Sequence, residues 1–542
     1  MARFVFISLY DEYALGIRSL VATLKKAGHF AALLCFKSYN QTPLSLVKEH
    51  YEGMHIQVHP SGDYVNAYSP PATSLEHDLL LNRLKILNPD LVGIGLSSSQ
   101  KLTGQRITAL IRKNLGLPVI WGGSHPTSDP ELCMEYVDFL CRGEAEDVLL
   151  DMAARLDSSQ DFSDVPNLWT RQPDGAIVKN PVRPLRKDLD SLPFADYSKE
   201  SIFFIDQNEL RTGVPFPQSR LHDCYMILMA RGCPFACSYC YESYLKELYK
   251  GQKTVRERSL DHVLQELKQI KEQMGHFYLE IVDDVFTLNE SRVAEFCRRY
   301  HEEINEPFWC HTHPRCCQEN VIRHIAASPN FGYIIMGIEA VSRNICQNVF
   351  HRDQTPEMIL KAAGILNKYH MQVNYDLITN IPGETEQDLR ENLDLLRALP
   401  KPFRIRISKL AIFPNYRIET ESKGKAQQIS DARYGLWHSL FFLAQDIDMT
   451  DTELDALLAN PIFEDHPEIL QKINALFENR WDELTALKVK NHILSVDREA
   501  ALKKEEDLKG DLARLKGRKG FKQFVWLHDQ AESAKKRVKN LF

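Results

Sequence analysis

The feature that most constrains this chain is a short loop near its middle, Met229-Ala-Arg-Gly-Cys233-Pro-Phe-Ala-Cys237-Ser-Tyr239-Cys240. It sets three cysteines at a CxxxCxxC spacing, with an aromatic residue before the last. Three thiolates on so tight a loop can wrap one edge of a metal cluster, yet they cannot close a four-coordinate zinc site. Iron–sulfur clusters take cysteine thiolates at spacings of this kind and usually use four of them. A triad leaves one iron open, which a cluster needs if it must bind a small molecule and not only pass electrons. The alternative is a zinc knuckle borrowing a remote fourth ligand, although no second CxxC pair exists to supply one.

With 542 residues the chain exceeds one hydrophobic core, so two or three domains are expected. Its 44% hydrophobic and 26% charged content are those of an ordinary globular protein. A formal charge of −7 argues against a dedicated nucleic-acid partner. Met1-Ala-Arg-Phe-Val-Phe-Ile-Ser runs directly into a strand pattern, and no apolar stretch is long enough for a signal h-region or a transmembrane segment. Twelve scattered cysteines then read as reduced thiols, and the expected compartment is cytoplasmic.

Residues 1–154 alternate strand and helix. Arg3-Phe-Val-Phe-Ile-Ser8 is followed by helical spacing at Leu15, Ile17, Leu20, Val21 and Leu24, then by Ala31-Ala-Leu-Leu-Cys-Phe36. Further strand patterns run into Ser97-Ser98-Ser99, Gly122-Gly123-Ser-His125-Pro-Thr127 and Gly143-Glu144. Such alternation implies a doubly wound, Rossmann-like parallel sheet, which binds ligands at the carboxyl ends of its strands. No G-x-G-x-x-G opens the first helix, which disfavours a dinucleotide. Residues 155–222 lose regular periodicity and gather turn residues, as in Gln172-Pro-Asp-Gly175, and read as a linker ending in Asp188-Leu-Asp-Ser-Leu-Pro-Phe-Ala-Asp-Tyr197.

Over 223–424 the alternation resumes. Strand patterns end in Asp283-Asp284, in Gly337-Ile-Glu339 and ahead of Ile381-Pro-Gly-Glu-Thr385, with a further strand at Phe403-Arg-Ile-Arg-Ile-Ser-Lys-Leu410. Active-site groups of βα barrels sit at strand carboxyl ends, where Cys233, Asp283, Glu339 and Pro382-Gly383 fall. Each also has a structural reading: a salt-bridged Glu, a plain turn with a helix cap. His311 and His313, two apart, would share one face of a strand toward the barrel interior or mouth.

The cysteine loop resembles that of the radical S-adenosylmethionine (SAM) superfamily, whose partial (β/α)6 barrel these βα units suit. The resemblance implies a 4Fe-4S cluster on Cys233, Cys237 and Cys240, whose open iron chelates the methionine part of SAM and cleaves it reductively. It places Tyr239 over the adenine, Glu339 near the ribose and methionine of the cosubstrate, and Pro382 and Gly383 against the adenosine. The order of landmarks in residues 1–154 looks like the cobalamin-binding domain found ahead of such barrels. That implies corrin contacts from Asp11, Gly16, Ser97, Ser98, Gly122, Gly123, His125, Gly143 and Glu144; a nucleotide-binding or degenerate Rossmann domain is the alternative. Where a cobalt-ligating histidine would stand in Asp-x-His-x-x-Gly, this chain has Tyr13 in Asp11-Glu-Tyr13-Ala-Leu-Gly16, so the expected cobalamin is base-off with no protein histidine ligand.

Residues 425–542 read as a helical region with apolar segments at 434–443 and 469–481, a mixed-charge stretch over 482–516 and a basic turn at Arg518, Lys519 and Lys522. Together the resemblances imply methylation of an unactivated carbon on a small-molecule or lipid substrate, with an external electron donor of flavodoxin or ferredoxin type. A ring-forming oxidoreductase like the anaerobic porphyrin-ring cyclase, or a non-catalytic cobalamin-binding sensor, are the other readings.

Overall fold

The computed structural model describes residues 1–38, 71–214, 216, 224–445 and 448–459, with the two short strands Gln57–Val58 and Tyr64–Val65. The chain divides into two compact units, Met1–Glu478 and Asn479–Phe542, and every described residue lies in the first. The expected helix over 469–481, the mixed-charge stretch 482–516 and the basic turn at 517–526 fall outside the described residues.

The amino-terminal sheet is built from β1 (Arg3–Leu9), β2 (Phe30–Phe36), β3 (Leu91–Gly95), β4 (Val119–Gly122), β5 (Phe139–Cys141), β6 (Leu168–Arg171), β7 (Ile177–Lys179), β8 (Ile202–Asp206) and β9 (Glu209–Thr212). Their order is β9-β8-β2-β1-β3-β4-β5-β6-β7. The six strands from β8 to β5 are mutually parallel, and antiparallel hairpins finish both edges. Continuous apolar runs such as Phe-Val-Phe-Ile form the centre because parallel strands are covered on both faces. Val5, Ile7 and Leu9 enter one core layer, Phe4 and Phe6 the other. Within the order 2-1-3-4-5 the chain reverses direction between β1 and β3, so the ligand-binding crevice lies at the carboxyl ends of those two strands.

The stretch 155–222, expected to be a linker, contributes four of the nine strands. Its turn residues are real but lie inside hairpins: Gln172 to Ala176 closes the β6–β7 loop, and Gln207 and Asn208, both at positive φ, form the two-residue turn between β8 and β9. The edge strands β7 and β9 are partly exposed, and the buried β6 and β8 are only four and five residues long, so the stretch carries little periodic signal and the sequence reads it as connector.

The second sheet holds β10 (Cys224–Ile227), β11 (Tyr278–Ile281), β12 (Phe308–Thr312), β13 (Phe331–Glu339), β14 (Val373–Thr379) and β15 (Arg404–Lys409), parallel and in sequential order. This is a partial (β/α)6 barrel. Tyr225, Leu279, Ile281, Phe308, Cys310, Ile334 and Met336 face the surrounding helices and form the main core. By strand alternation Glu280, His311, Tyr333, Asn374, Asp376 and Arg406 face inward. That interior is polar, where a packed barrel carries branched aliphatics. Helix Asp431–Ala444 buries Tyr434, Trp437, Leu440 and Phe441 in the same core, so residues beyond 425 close the barrel flank. Among the described residues no helix is long and apolar enough to cross a membrane.

Candidate active site

Local hydrogen bonds hold the cysteine loop in place. Asp283, at the end of β11, accepts from the main-chain N–H groups of Met229 (2.6 Å) and Ala230 (3.1 Å), which fixes the entry to the loop. Its full burial pushes this carboxyl up to about 7. Further on, Ser238 donates its N–H to Phe350 O (2.8 Å) and its hydroxyl to Val349 O (2.6 Å), and the Lys246 ammonium donates to Phe235 O. The loop is thus braced on the segment that follows β13. Cys237 is buried, Cys233 and Cys240 are half-buried, and all twelve cysteines of the chain are free thiols. Burial pushes the Cys233 thiol up to about 12 and Cys240 higher still, so a metal would have to displace the protons of these two. Among the described residues, no group of three or more His, Cys, Asp or Glu side chains could hold a single metal ion. A cubane makes a different demand, since each thiolate binds a different iron, and three thiols spread along one braced loop fit that demand.

Glu339 ends β13 at a φ of 56°, a left-handed backbone that a non-glycine residue adopts only under constraint. Its carboxyl makes no hydrogen bond among the described residues, and burial pushes it up to about 7 despite the nearby Arg352 guanidinium. Tyr239 packs its ring 4.5 Å from Phe350 and accepts through its hydroxyl from Arg352 Nη1 (3.2 Å). Arg352, which the sequence reading did not single out, also donates to Cys237 Sγ (3.5 Å), to Gly337 O and to Gln354 Oε1 (2.9 Å).

Pro382 and Gly383 lie in a turn whose Thr385 caps helix Glu386–Ala398, sharing a capping box with Asp388, so the structural reading of that motif is realised. Glu384 folds back into the protein and accepts from Tyr434 Oη (2.7 Å) and Ile381 N (3.2 Å). His311 and His313 sit at the end of β12, the second just beyond it in extended backbone. His311 lies in β12, while His313 follows it, accepts at Nδ1 from Arg315 N (3.1 Å) and stacks on Phe235 of the cysteine loop with ring centroids 3.9 Å apart. Burial and nearby guanidinium groups keep both rings neutral, His311 down to about 4 and His313 to about 2.

At the carboxyl ends of the first sheet the expected corrin residues divide into two groups. Ser97 donates its N–H to Gln100 Oε1 (2.9 Å), and Gln100 in turn donates to Leu9 O (2.6 Å), joining the ends of β1 and β3. Ser98 Oγ bonds to His125 Nδ1 (3.1 Å), leaving the buried His125 Nε2 without a partner. No atom lies within 4 Å of where a Cβ on Gly16 or Gly122 would stand. These positions leave room and polar atoms for a flat ligand. Asp11 accepts from Tyr13 N (2.9 Å) in a local turn, and helix Leu15–Lys26 starts from Ala14 with no side-chain cap, so Asp11 is not its cap.

The other group is committed to the protein itself. A Cβ on Gly123 would stand 2.7 Å from Leu96 O, and one on Gly143 would stand 1.9 Å from the Tyr249 hydroxyl. Glu144 pairs with Arg256 (2.5 Å) and Arg231 (3.1 Å), and Arg231 also pairs with Glu146 (2.6 Å). These guanidinium groups hold Glu144 below the usual carboxylate range although burial opposes them. Glu144 follows β5, whereas Arg231 stands two residues before Cys233, so this ion cluster joins the sheet ends to the cysteine loop.

Residues 227–396 match the family model of the Radical SAM superfamily, and residues 5–153 match that of the B12 binding domain. The chain belongs to the cobalamin-dependent radical SAM enzymes. It is similar to an uncharacterized methyltransferase of Pyrococcus horikoshii, 25% identical over 321 residues that cover 58% of this chain and 66% of that protein. It is also similar to the anaerobic magnesium-protoporphyrin IX monomethyl ester cyclase of Rubrivivax gelatinosus, 23% identical over 337 residues, covering 60% of this chain and 57% of that one. The matches thus span less than two thirds of each relative's length. Among solved structures, TsrM from Kitasatospora setae superposes with a TM-score of 0.57 at 18% identity, covering 77% of this chain and 75% of its own. The radical enzyme OxsB, solved with aqua-cobalamin, gives 0.58 at 14% identity over 99% and 84%. At these identities the superpositions establish the fold alone.

Proposed function

We propose that this chain is a methyltransferase that transfers a methyl group to an unactivated carbon of a small-molecule substrate. The observation that carries this reading is the direct packing of the loops after β4 and β5 on the cysteine loop and its following helix, through Thr127, Gly143 and Glu144. A corrin on the first sheet and a cluster on the loop would then adjoin one space. When bound, the cluster and cobalamin supply reductive cleavage of SAM and carriage of a methyl group.

In this reading Cys233, Cys237 and Cys240 hold the cluster as thiolates and leave the fourth iron to the cosubstrate. Glu339 offers its unpartnered carboxyl to the amino or ribose end of SAM, Tyr239 covers the adenine, and Pro382-Gly383 bring main chain to the adenosine. Gly16 and Gly122 leave room for the corrin face, and His125 Nε2, kept neutral by burial, presents a hydrogen bond to its rim. Tyr13 supplies no imidazole, so this loop would hold a cobalamin without offering a protein nitrogen to the cobalt. An external flavodoxin or ferredoxin supplies the electron.

The test is incubation of the anaerobically reconstituted chain with methyl-labelled SAM, reductant and extracts of the source cell. Label in a product, dependent on cobalamin, supports methyl transfer. The cyclase relative motivates a second reading, ring-forming oxidation, which predicts 5'-deoxyadenosine and product without label.

A further inference from the structure

Arg352 has a role of its own at the cysteine loop. Four of its N–H bonds are already used within the protein: Nε to Gln354 Oε1 (2.9 Å), Nη1 to Cys237 Sγ (3.5 Å) and Tyr239 Oη (3.2 Å), and Nη2 to Gly337 O. Its brace, Gln354, is itself buried and donates to the carbonyls of Ile338 and Ala340 (2.9 Å), so it cannot swing away. Arg352 is 7% exposed and Cys237 5%. Thus a cation that cannot deprotonate is held, with little freedom to move, against the most buried of the three thiols.

We propose that Arg352 is a positioning residue that sets the reduction potential of the cluster through its hydrogen bond to Cys237 Sγ. This rests on the cluster reading above. A cluster bound by three thiolates becomes more negative on taking an electron. An adjacent fixed cation with an N–H on sulfur favours the reduced state more than the oxidised one. Hydrogen bonds to the sulfurs and burial are the protein's means of moving such potentials. Burial of Cys237 removes the water that would otherwise screen the charge. The same guanidinium orients the Tyr239 hydroxyl, so cluster tuning and placement of the adenine-side ring share one support.

The experiment is an anaerobic redox titration of the reconstituted full chain, followed by electron paramagnetic resonance without SAM. Arg352→Met, Arg352→Lys and Gln354→Leu are compared with the unaltered chain at equal iron and sulfide content. At a fixed solution potential near the wild-type midpoint, Arg352→Met should show a ratio of reduced to oxidised cluster at least tenfold lower, about 59 mV for one electron. Arg352→Lys should recover part of that ratio, because charge is kept and the fork is lost. Gln354→Leu, which touches neither cluster nor cosubstrate, should shift it the same way by a smaller factor. Should Arg352→Met not retain iron, the Lys and Leu variants decide alone. Unchanged ratios in them, with weakened SAM binding only, would overturn the proposal and make Arg352 a cosubstrate contact. A wild-type chain that takes up no cluster would instead refute the cluster reading itself.

Discussion

Tyr244 donates its hydroxyl to the main-chain carbonyl of Thr127 at 3.0 Å while accepting from the Arg142 guanidinium at 3.0 Å. Tyr244 stands four residues after Cys240, and Thr127 two residues after His125, so one side chain ties the cysteine-loop helix to the corrin-side loop. Its ring stacks on Tyr416 with centroids 5.8 Å apart, which holds the hydroxyl on target. Tyr244→Phe keeps the stacking, leaves Thr127 O with only the longer bond from Arg142 Nε (3.4 Å) and takes the acceptor from Arg142 Nη2, at a cost of about 1–2 kcal/mol. Iron content should stay at the wild-type value, while cobalamin retention in equilibrium dialysis weakens by roughly five- to tenfold. Equal losses of both cofactors would mean general unfolding, not a loosened contact.

The ion cluster around Glu144 predicts a larger effect. Arg256 is 8% exposed and loses its carboxylate partner in Glu144→Gln, while Arg231 keeps only Glu146. An uncompensated buried guanidinium costs about 3 kcal/mol. Urea unfolding should show that loss, and the cysteine loop, two residues from Arg231, should become the first site of proteolysis. Replacing Glu144 and Arg256 together by Leu and Met should recover more than half of it, since paired apolar substitution removes the stranded charge.

Much of this arrangement is legible in the sequence. Spacing marks the cysteine loop, and the strand ends expected at Glu339 and Gly122 are where the structure ends β13 and β4. Other features are not legible, for physical reasons. Gly143 and Glu144 read as ligand-facing because they end a parallel strand, yet Tyr249 and two arginines from beyond residue 230 occupy them, and no local pattern reports contacts so distant along the chain. Arg352 carries no motif; its importance comes from where Gln354 and Gly337 O hold it. Strands β6 to β9 run to five residues at most, and Gln207-Asn208 makes a two-residue turn without the usual glycine.

The carboxyl of Glu384 makes stability depend on pH. It is completely buried, its Oε1 has no partner, and its value is raised to about 7. A raised carboxyl stabilises the fold in its protonated form. Its contribution is full below its unfolded value of about 4.3 and is lost as pH rises through about 7. Thermal unfolding should show Tm falling between pH 5 and 8. In Glu384→Gln, which mimics the protonated state, the fall should be smaller by at least about 1 kcal/mol, roughly 1 °C for a unit of this size. Asp283 and Glu339, raised similarly, keep part of the slope in the variant. Parallel curves for the two proteins would show that Glu384 is ionised throughout.

Glu339 should trade stability for binding. The φ of 56° at this residue costs about 1–2 kcal/mol for a side chain with a Cβ, and the unpartnered carboxyl adds a desolvation cost. Glycine adopts that backbone freely, so Glu339→Gly should unfold at higher urea, a gain of about 1 kcal/mol after the greater chain entropy of glycine is subtracted. The same variant lacks the one carboxyl at the end of β13 and should bind SAM at least tenfold more weakly, read by equilibrium dialysis on the cluster-loaded chain. Glu339→Gln separates the two effects, because it keeps the backbone strain and removes only the charge. It should bind as weakly as the glycine variant with no gain from the backbone. If glycine instead lowers stability, the left-handed turn is held by contacts of the Glu339 side chain and its carboxyl is structural.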